Sequence, residues 1–378
     1  MLNFKFNKMK KIKLICSAFL MMSVFSSCED LLDKEPLDQI SNEMYWKTAE
    51  DLRNYTIQFY TSFVPFANGI NCYLGFDAEY GSDNALYGAE ANTTLNGSRP
   101  IVENATANDA AINEWYWHKV RDVNIFFDNY KKCQDAPETW NQYLGEAYFF
   151  RAKFYFDLLR DYGDLPIYKS EIKMNSEDLY KPKDKRTDVV DFILDDLKHA
   201  ETHLMTIKEL SSKGGTNLLS KEATLLYMSR VALYEGTWQK YHAGTPFATE
   251  GADYTKYLRI CVEATEKLMN NAEGKYTVGL YGKNAEDYGK MFGLDDMSIN
   301  PEVLLWKGFD LSIPKGNDIQ FYTVDRTNGR AATLQYVMSF LDKNGQVIDW
   351  ENLLSTKTGN DFLTYLKDNA DQRLGQTL

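Results

Sequence analysis

"PETWNQYLGEAYFFRAKFYFDLLRDYGDLP", residues 137–166, decides the fold. Pro137 suits the first turn of a helix, where its missing N–H costs nothing, and Gly163 and Pro166 punctuate the far end. Between them Trp140, Leu144, Ala147, Arg151, Phe154 and Leu158 recur at helical spacing. That pattern predicts one long helix with an apolar face. Arg151 falls inside the stripe, so it is expected to pair with a carboxylate in the helical core; ligand binding is its lesser reading.

The neighbouring segments repeat the theme. "TAEDLRNYTIQFYTSF" (48–63) opens with Thr48 and has Asp51 three residues on, like a capping box. "NDAAINEWYWHKVRDVNIFFDNYKKC" (108–133) follows a loop rich in Asn, Thr and Gly. Val190, Ile193, Leu194, Leu197 and Leu204 give residues 187–205 an apolar face. Ala223, Leu226, Tyr227 and Tyr234 do so for 220–238, and Tyr257, Leu258, Cys261, Val262 and Leu268 for 253–271. At least six amphipathic helices are therefore predicted between 48 and 270. Leu144-Gly145-x-x-Tyr148 partly echoes a tetratricopeptide repeat, but Trp140 is one residue early and no strict period of about 34 holds. The expected fold is mainly α: an α-α superhelix of irregular tetratricopeptide-like pairs, with long loops and a few short strands.

From 271 onward Gly, Asn and Asp become frequent, helices are not expected, and "EVLLWKGFD" (302–310) reads as a short strand. Two stretches, 75–109 and 310–335, read as long loops, and such loops are usually functional. A saccharide site needs aromatic faces beside short polar groups. Tyr80, Asn84 and Tyr87 in the first loop supply these, as do Phe321, Tyr322 and Arg326 in the second. Trp238, beside Gly236 at a helix end, is a further candidate. Trp115 and Trp117 read as mainly structural.

Residues 1–27 follow a secretory plan: five lysines, an apolar run Leu14–Phe25, then Ser26 and Ser27. The run is shorter than the ~20 residues a spanning helix needs. Cys28 at the junction resembles the acylated cysteine of a bacterial lipobox, which anchors a protein to lipid without spanning it. Residues 28–47 then form the lipidated end and a polar tether. The organisation expected is signal 1–27, tether 28–47, helical repeats 48–270 and a loop-rich region 271–378.

The formal charge is −12, and removing five lysines with the signal takes it to −17. A nucleic-acid partner is excluded on that ground, since phosphates want a basic face. With Cys16 in the signal and Cys28 lipidated, Cys72, Cys133 and Cys261 remain, too few and too scattered for a disulfide framework or a zinc site. His199 and His203 lie four apart, but Ala-Glu-Thr between them does not match a metalloprotease helix and no third ligand is visible. Lys213-Gly214-Gly215-Thr216 lacks the context of a phosphate loop, and no carboxylate pair stands out among 54 acids. No catalytic set, metal site or cofactor is expected.

"GEAYFFRAKFYFDLLRDYGDLPIY" (145–168) resembles the central signature of the RagB/SusD family of outer-membrane nutrient-binding lipoproteins of Bacteroidetes. "CEDLLDKEP", "EMYWKTAEDL", "WYWHKVRDVNIFFDNY", "KRTDVVDFILDDLKHAETHL" and "LLSKEATLLYMSRVALYEGTW" are similar to family segments in the same order, as are "GQVIDW" and "DNADQRL". The resemblance implies a binder rather than an enzyme. It implies capture of oligosaccharide, or of peptide in some members, above a SusC-like TonB-dependent transporter, with lipid on Cys28 and Glu29 and Asp30 as a surface-export signal. It also implies more chain beyond Asp371 and Arg373, so a stop at Leu378 reads as a truncated frame. A helical-repeat scaffold for protein partners and, last, a glycoside hydrolase are the competing classes.

Overall fold

The computed structural model describes residues 45–63, 84–86, 107–173, 175–271, 274–284, 286–308, 312 and 331–377. Residues 1–44 lie outside that set, and with them Cys28, Glu29 and Asp30.

Among the described residues seven helices fill the first part: α1 Ala49–Thr56, α2 Ala107–Asn129, α3 Pro137–Tyr162, α4 Arg186–His203, α5 Ile207–Ser212, α6 Lys221–Tyr241 and α7 Tyr254–Asn270. A 3-10 turn, Ile57–Ser62, prolongs α1. Helix α3 packs against α1, α2 and α4; α4 packs in turn on α6, and α6 on α7. This is the expected α-α architecture. Its helix ends obey local chemistry. Thr48 and Asp51 form a reciprocal capping box on α1, and Thr206 and Glu209 form another on α5. Pro137 occupies the first turn of α3, and Gly163 ends it at φ 74°, a left-handed value that favours glycine.

Three faces differ from the sequence expectation. Helix α3 is buried on nearly every side, Phe149, Phe150, Tyr155 and Phe156 included, because other helices surround it. On α6 the buried face is Glu222, Thr224, Leu225, Met228, Val231, Ala232 and Glu235, while Leu226 is 46% exposed. Four polar residues with internal partners (Glu222, Thr224, Glu235, Gln239) disguise that face. On α7, Val262 is likewise exposed whereas Tyr257, Ala264 and Leu268 are buried.

Helices touch closely where glycine permits. A Cβ on Gly145 would sit 2.7 Å from Leu204 Cγ, and one on Gly236 would sit 2.6 Å from Leu258 Cδ2. Both distances are below contact, so these glycines set how near α3 and α6 come to their neighbours.

Arg151 pairs with a carboxylate, as expected. Its Nε and Nη2 donate to Asp196 of α4 at 2.7 and 2.8 Å, and its guanidinium lies 3.9 Å from the Phe127 ring centre. Burial pushes the Asp196 carboxyl up, against the opposing pull of Arg151. The network extends further. Arg151 Nη1 reaches Asn124 Oδ1 at 3.3 Å, and Asn124 Nδ2 donates to the carbonyls of Tyr168 and Ser170 at 2.9 and 3.2 Å. The buried charge therefore also anchors the irregular segment after α3.

Beyond 271 the chain does form helices, contrary to expectation: α8 Asp287–Phe292, α9 Leu334–Met338, α10 Trp350–Thr356, α11 Gly359–Asn369 and α12 Gln372–Thr377. Caps start several of them, such as Asp349, whose side chain accepts from Asn352 N–H. A second small core gathers there around Val337, Ile348, Trp350, Leu353, Leu366 and Leu374. The described part of 302–310 is irregular rather than a strand. Its backbone partner is a side chain: the Asn217 amide donates to Trp306 C=O at 2.5 Å and accepts Trp306 N–H at 2.8 Å. Two strands are described, β1 Ala85–Leu86 and β2 Ala331–Ala332, paired antiparallel with Ala85 opposite Ala332.

Candidate ligand-binding site

The β1–β2 pair joins the two long loops that the sequence marked, 75–109 and 310–335. Thr333 N–H donates to Asn84 C=O at 2.9 Å just beside it. The described chain ahead of each loop ends at one cavity. The last described residue before the first loop is Phe63, and the described chain before the second runs to Gly308. Both residues line one cavity of about 470 Å³, together with Tyr60, Asn217, Trp306 and Lys307. That volume lies within the range of small-ligand sites.

The cavity's aromatic walls are held from behind. Tyr60 Oη donates to Glu146 Oε1 at 3.0 Å and accepts Leu219 N–H at 2.9 Å. Glu146 also accepts Thr56 Oγ1 at 2.9 Å and Gln142 Nε2 at 3.1 Å. Burial pushes the Glu146 carboxyl up, against these three hydrogen bonds, and pushes the Tyr60 hydroxyl well above its ordinary value. The Phe63 ring packs on Phe149 and Phe150, with centres 5.9 and 5.4 Å away. Opposite, Asn217 clamps the Trp306 backbone. A half-buried indole, two further rings, an ammonium-bearing lysine and an amide thus line this one cavity. That arrangement can cover an apolar ring face and hydrogen-bond its substituents.

The residues singled out in the sequence fall as follows. Tyr80, Tyr87, Phe321, Tyr322 and Arg326 lie outside the described residues. Asn84 is exposed beside the strand pair. Trp238 is half-buried at the end of α6 and does not line that cavity. Its indole N–H donates to Phe247 C=O at 2.9 Å, His242 stacks on it at 4.1 Å, and the Arg186 guanidinium lies 4.3 Å from its centre. His199 and His203 stack on Tyr148 at 4.9 and 6.0 Å, and no group of three metal-ligating side chains occurs among the described residues. Trp306 was missed, because its segment read as a strand. Its one signal was an indole one residue before a Lys-Gly step at the edge of a predicted loop.

A family model described as "starch-binding associating with outer membrane" matches residues 30–233. Two SusD-like proteins of Formosa agariphila are similar. One is 29% identical over 231 residues, 60% of this chain and 43% of the relative; the other is 24% identical over 276 residues, 70% and 48%. The chain spans about half the length of the curated relatives it matches. Among solved structures, a SusD-like carbohydrate-binding protein of Bacteroides fragilis aligns with a TM-score of 0.64 at 17% identity, covering 88% of this chain and 60% of that one. A second SusD-like protein of the same organism aligns with a TM-score of 0.56 at 20% identity, covering 83% and 56%. These likenesses carry the fold, and the family match spans more than half of the sequence: the chain belongs to the SusD-like family.

Proposed function

We propose that this chain captures oligosaccharides at the outer membrane and passes them to a SusC-like TonB-dependent transporter, without chemical change to the sugar. The observation that carries the reading is one aromatic cavity lined by Phe63 and Gly308, the residues at which the described chain breaks off ahead of the two loops, together with the pairing of the loops at β1 and β2. The family's printed description and the SusD-like relatives support the same reading. In this proposal residues 1–27 are a lipoprotein signal, Cys28 carries the lipid, Glu29 and Asp30 direct export to the surface, and 31–47 are the tether. Tyr80, Tyr87, Phe321, Tyr322 and Arg326 are proposed as ligand contacts from the loops, and so is Asn84 beside the strand pair.

The test is calorimetric titration of the purified chain with glycan oligomers, maltoheptaose among them, on wild type and Trp306→Ala. Binding by the wild type, weakened about tenfold or more in the variant, is the expected result; tenfold corresponds to about 1.4 kcal/mol. Equal binding by both removes the cavity from the proposal. Labelled palmitate is expected to enter the wild type and not Cys28→Ala, and equal labelling would sink the lipid anchor.

A further inference from the structure

We propose that the cleft between α2 and the segment 163–183 is a second saccharide site, taking one pyranose ring of an oligosaccharide. It is separate from the Trp306 cavity and shares no lining residue with it. The cleft encloses about 740 Å³, well within the range of small-molecule sites. Val120 and Leu165 give it a buried apolar floor. Trp117 and Tyr168 stand over that floor with ring centres 5.7 Å apart and planes at 67°. Tyr162, half exposed, forms part of the rim.

The wall is built, not incidental. Residues 164–171 have no helix or strand ladder, yet side chains hold them at almost every step. Tyr155 Oη accepts Tyr168 N–H at 2.7 Å, and Asp184 accepts Ile167 N–H at 2.7 Å. Asn124, itself fixed by Arg151, takes the carbonyls of Tyr168 and Ser170. Asp128 accepts Glu171 N–H at 2.8 Å. A recess held open this way meets a ligand without first losing chain entropy.

Its polar groups name the ligand. Arg121, on the rim, is already paired with Glu171. The Trp117 indole N–H, the Ser170 hydroxyl, the Lys183 ammonium and one oxygen of Asp164 are among the lining groups with hydrogen-bonding capacity left. The other Asp164 oxygen accepts Arg186 N–H at 2.9 Å, at the start of α4. An acyl chain would strip water from these groups and replace none of it. A purely polar ligand would leave the apolar floor and the two rings above it uncovered. A pyranose satisfies both, with C–H bonds on one face and hydroxyls that donate to Asp164 and accept from Trp117 and Lys183.

The inference rests on the chain being a saccharide binder, and one experiment separates the two claims. The full chain is titrated with maltoheptaose and with a heptamer of polygalacturonate. The Trp117 indole N–H resonance, assigned by its loss in Trp117→Phe, is followed in parallel. The expected result is a shift of that resonance by at least one probe. Tyr162→Ala and Lys183→Glu, both at the rim, should weaken that response about fivefold or more, while Trp306→Ala leaves it in place. A Trp117 resonance unmoved by probes that do bind, or a response that Trp306→Ala alone removes, overturns the second site and spares the first. No binding of either probe overturns the second site, and absence of binding across a broad glycan set overturns both.

Discussion

Between residues 45 and 271, long helices bury Arg151, Asp196, Glu146, Arg186, Glu222 and Glu235 alongside their aromatic rings. Between 337 and 374, short helices bury Trp350, Leu353, Leu366 and Leu374, and no charged side chain is buried among the described residues there. In the first region these six buried charges are each joined to something outside their own helix, whereas Asp157 pairs with Lys153 and Arg160 of its own. Arg151 reaches the segment after α3, Glu146 the Tyr60 hydroxyl, and Glu222 the N–H groups of Ile207 and Thr277. In the second, irregular backbone is tied to backbone instead, as in the bridges Leu341 to Val347 and Asp342 to Ala370. Buried polar groups thus appear where loops must be held in a set place. Where only closure is needed, apolar packing suffices.

Removing a buried charge should break the first region most severely. Arg151→Ala leaves Asp196 buried without its partner, a loss of about 3–5 kcal/mol, measured by urea denaturation. If the arginine matters mainly for anchoring, hydrogen exchange at 166–171 should rise even in conditions where the helices stay folded. Next in size, Leu353→Ala should cost about 2–4 kcal/mol locally. Faster exchange confined to 337–374 is expected; equal acceleration across 45–271 would make the two cores a single cooperative unit. Gly145→Ala should cost about 1–3 kcal/mol, because the added methyl meets Leu204 and α3 must back away. An unchanged Tm would show that Leu204 yields freely.

The smallest effect concerns pH. Burial raises the Glu146 carboxyl above its ordinary 4.5. Its protonation therefore favours the folded state: the contribution is fully present below about 4.5 and is lost as pH rises through the raised value. The stability of the wild type relative to Glu146→Gln should be greatest in acid and shrink toward neutrality. A relative stability that grows with pH would reverse the sign assigned here.

Much of the helical framework was legible because its signals are local. Thr48 with Asp51, Pro137 and Gly163 mark ends by caps that need no tertiary context. Arg151 was legible too, since a charge in an apolar stripe has few ways to survive. The α6 face was not, because Glu222, Thr224, Glu235 and Gln239 look like a solvent face until their partners are known. Most of the helices after 271 escaped notice because five to seven residues are too few to show a period; Gly359–Asn369, at 11 residues, was long enough and was missed. The cleft beside α2 was hidden for a further reason. Its wall is an irregular segment placed by Asn124 and Tyr155, and contacts across such sequence distances leave no pattern in either stretch. Hence Trp117, read as structural, turns out to line a recess.

Asn217 carries one more consequence. Its backbone sits at φ 55°, and its amide meets both polar groups of a tryptophan 89 residues away. Glycine would keep the backbone and lose the grip. Aspartate would keep the shape but, by exchanging a single atom, turn an oxygen toward the Trp306 carbonyl. Few other residues tolerate a left-handed backbone there. The position is thus one where a single substitution reaches the cavity wall, because losing this amide frees the Trp306 backbone that lines it.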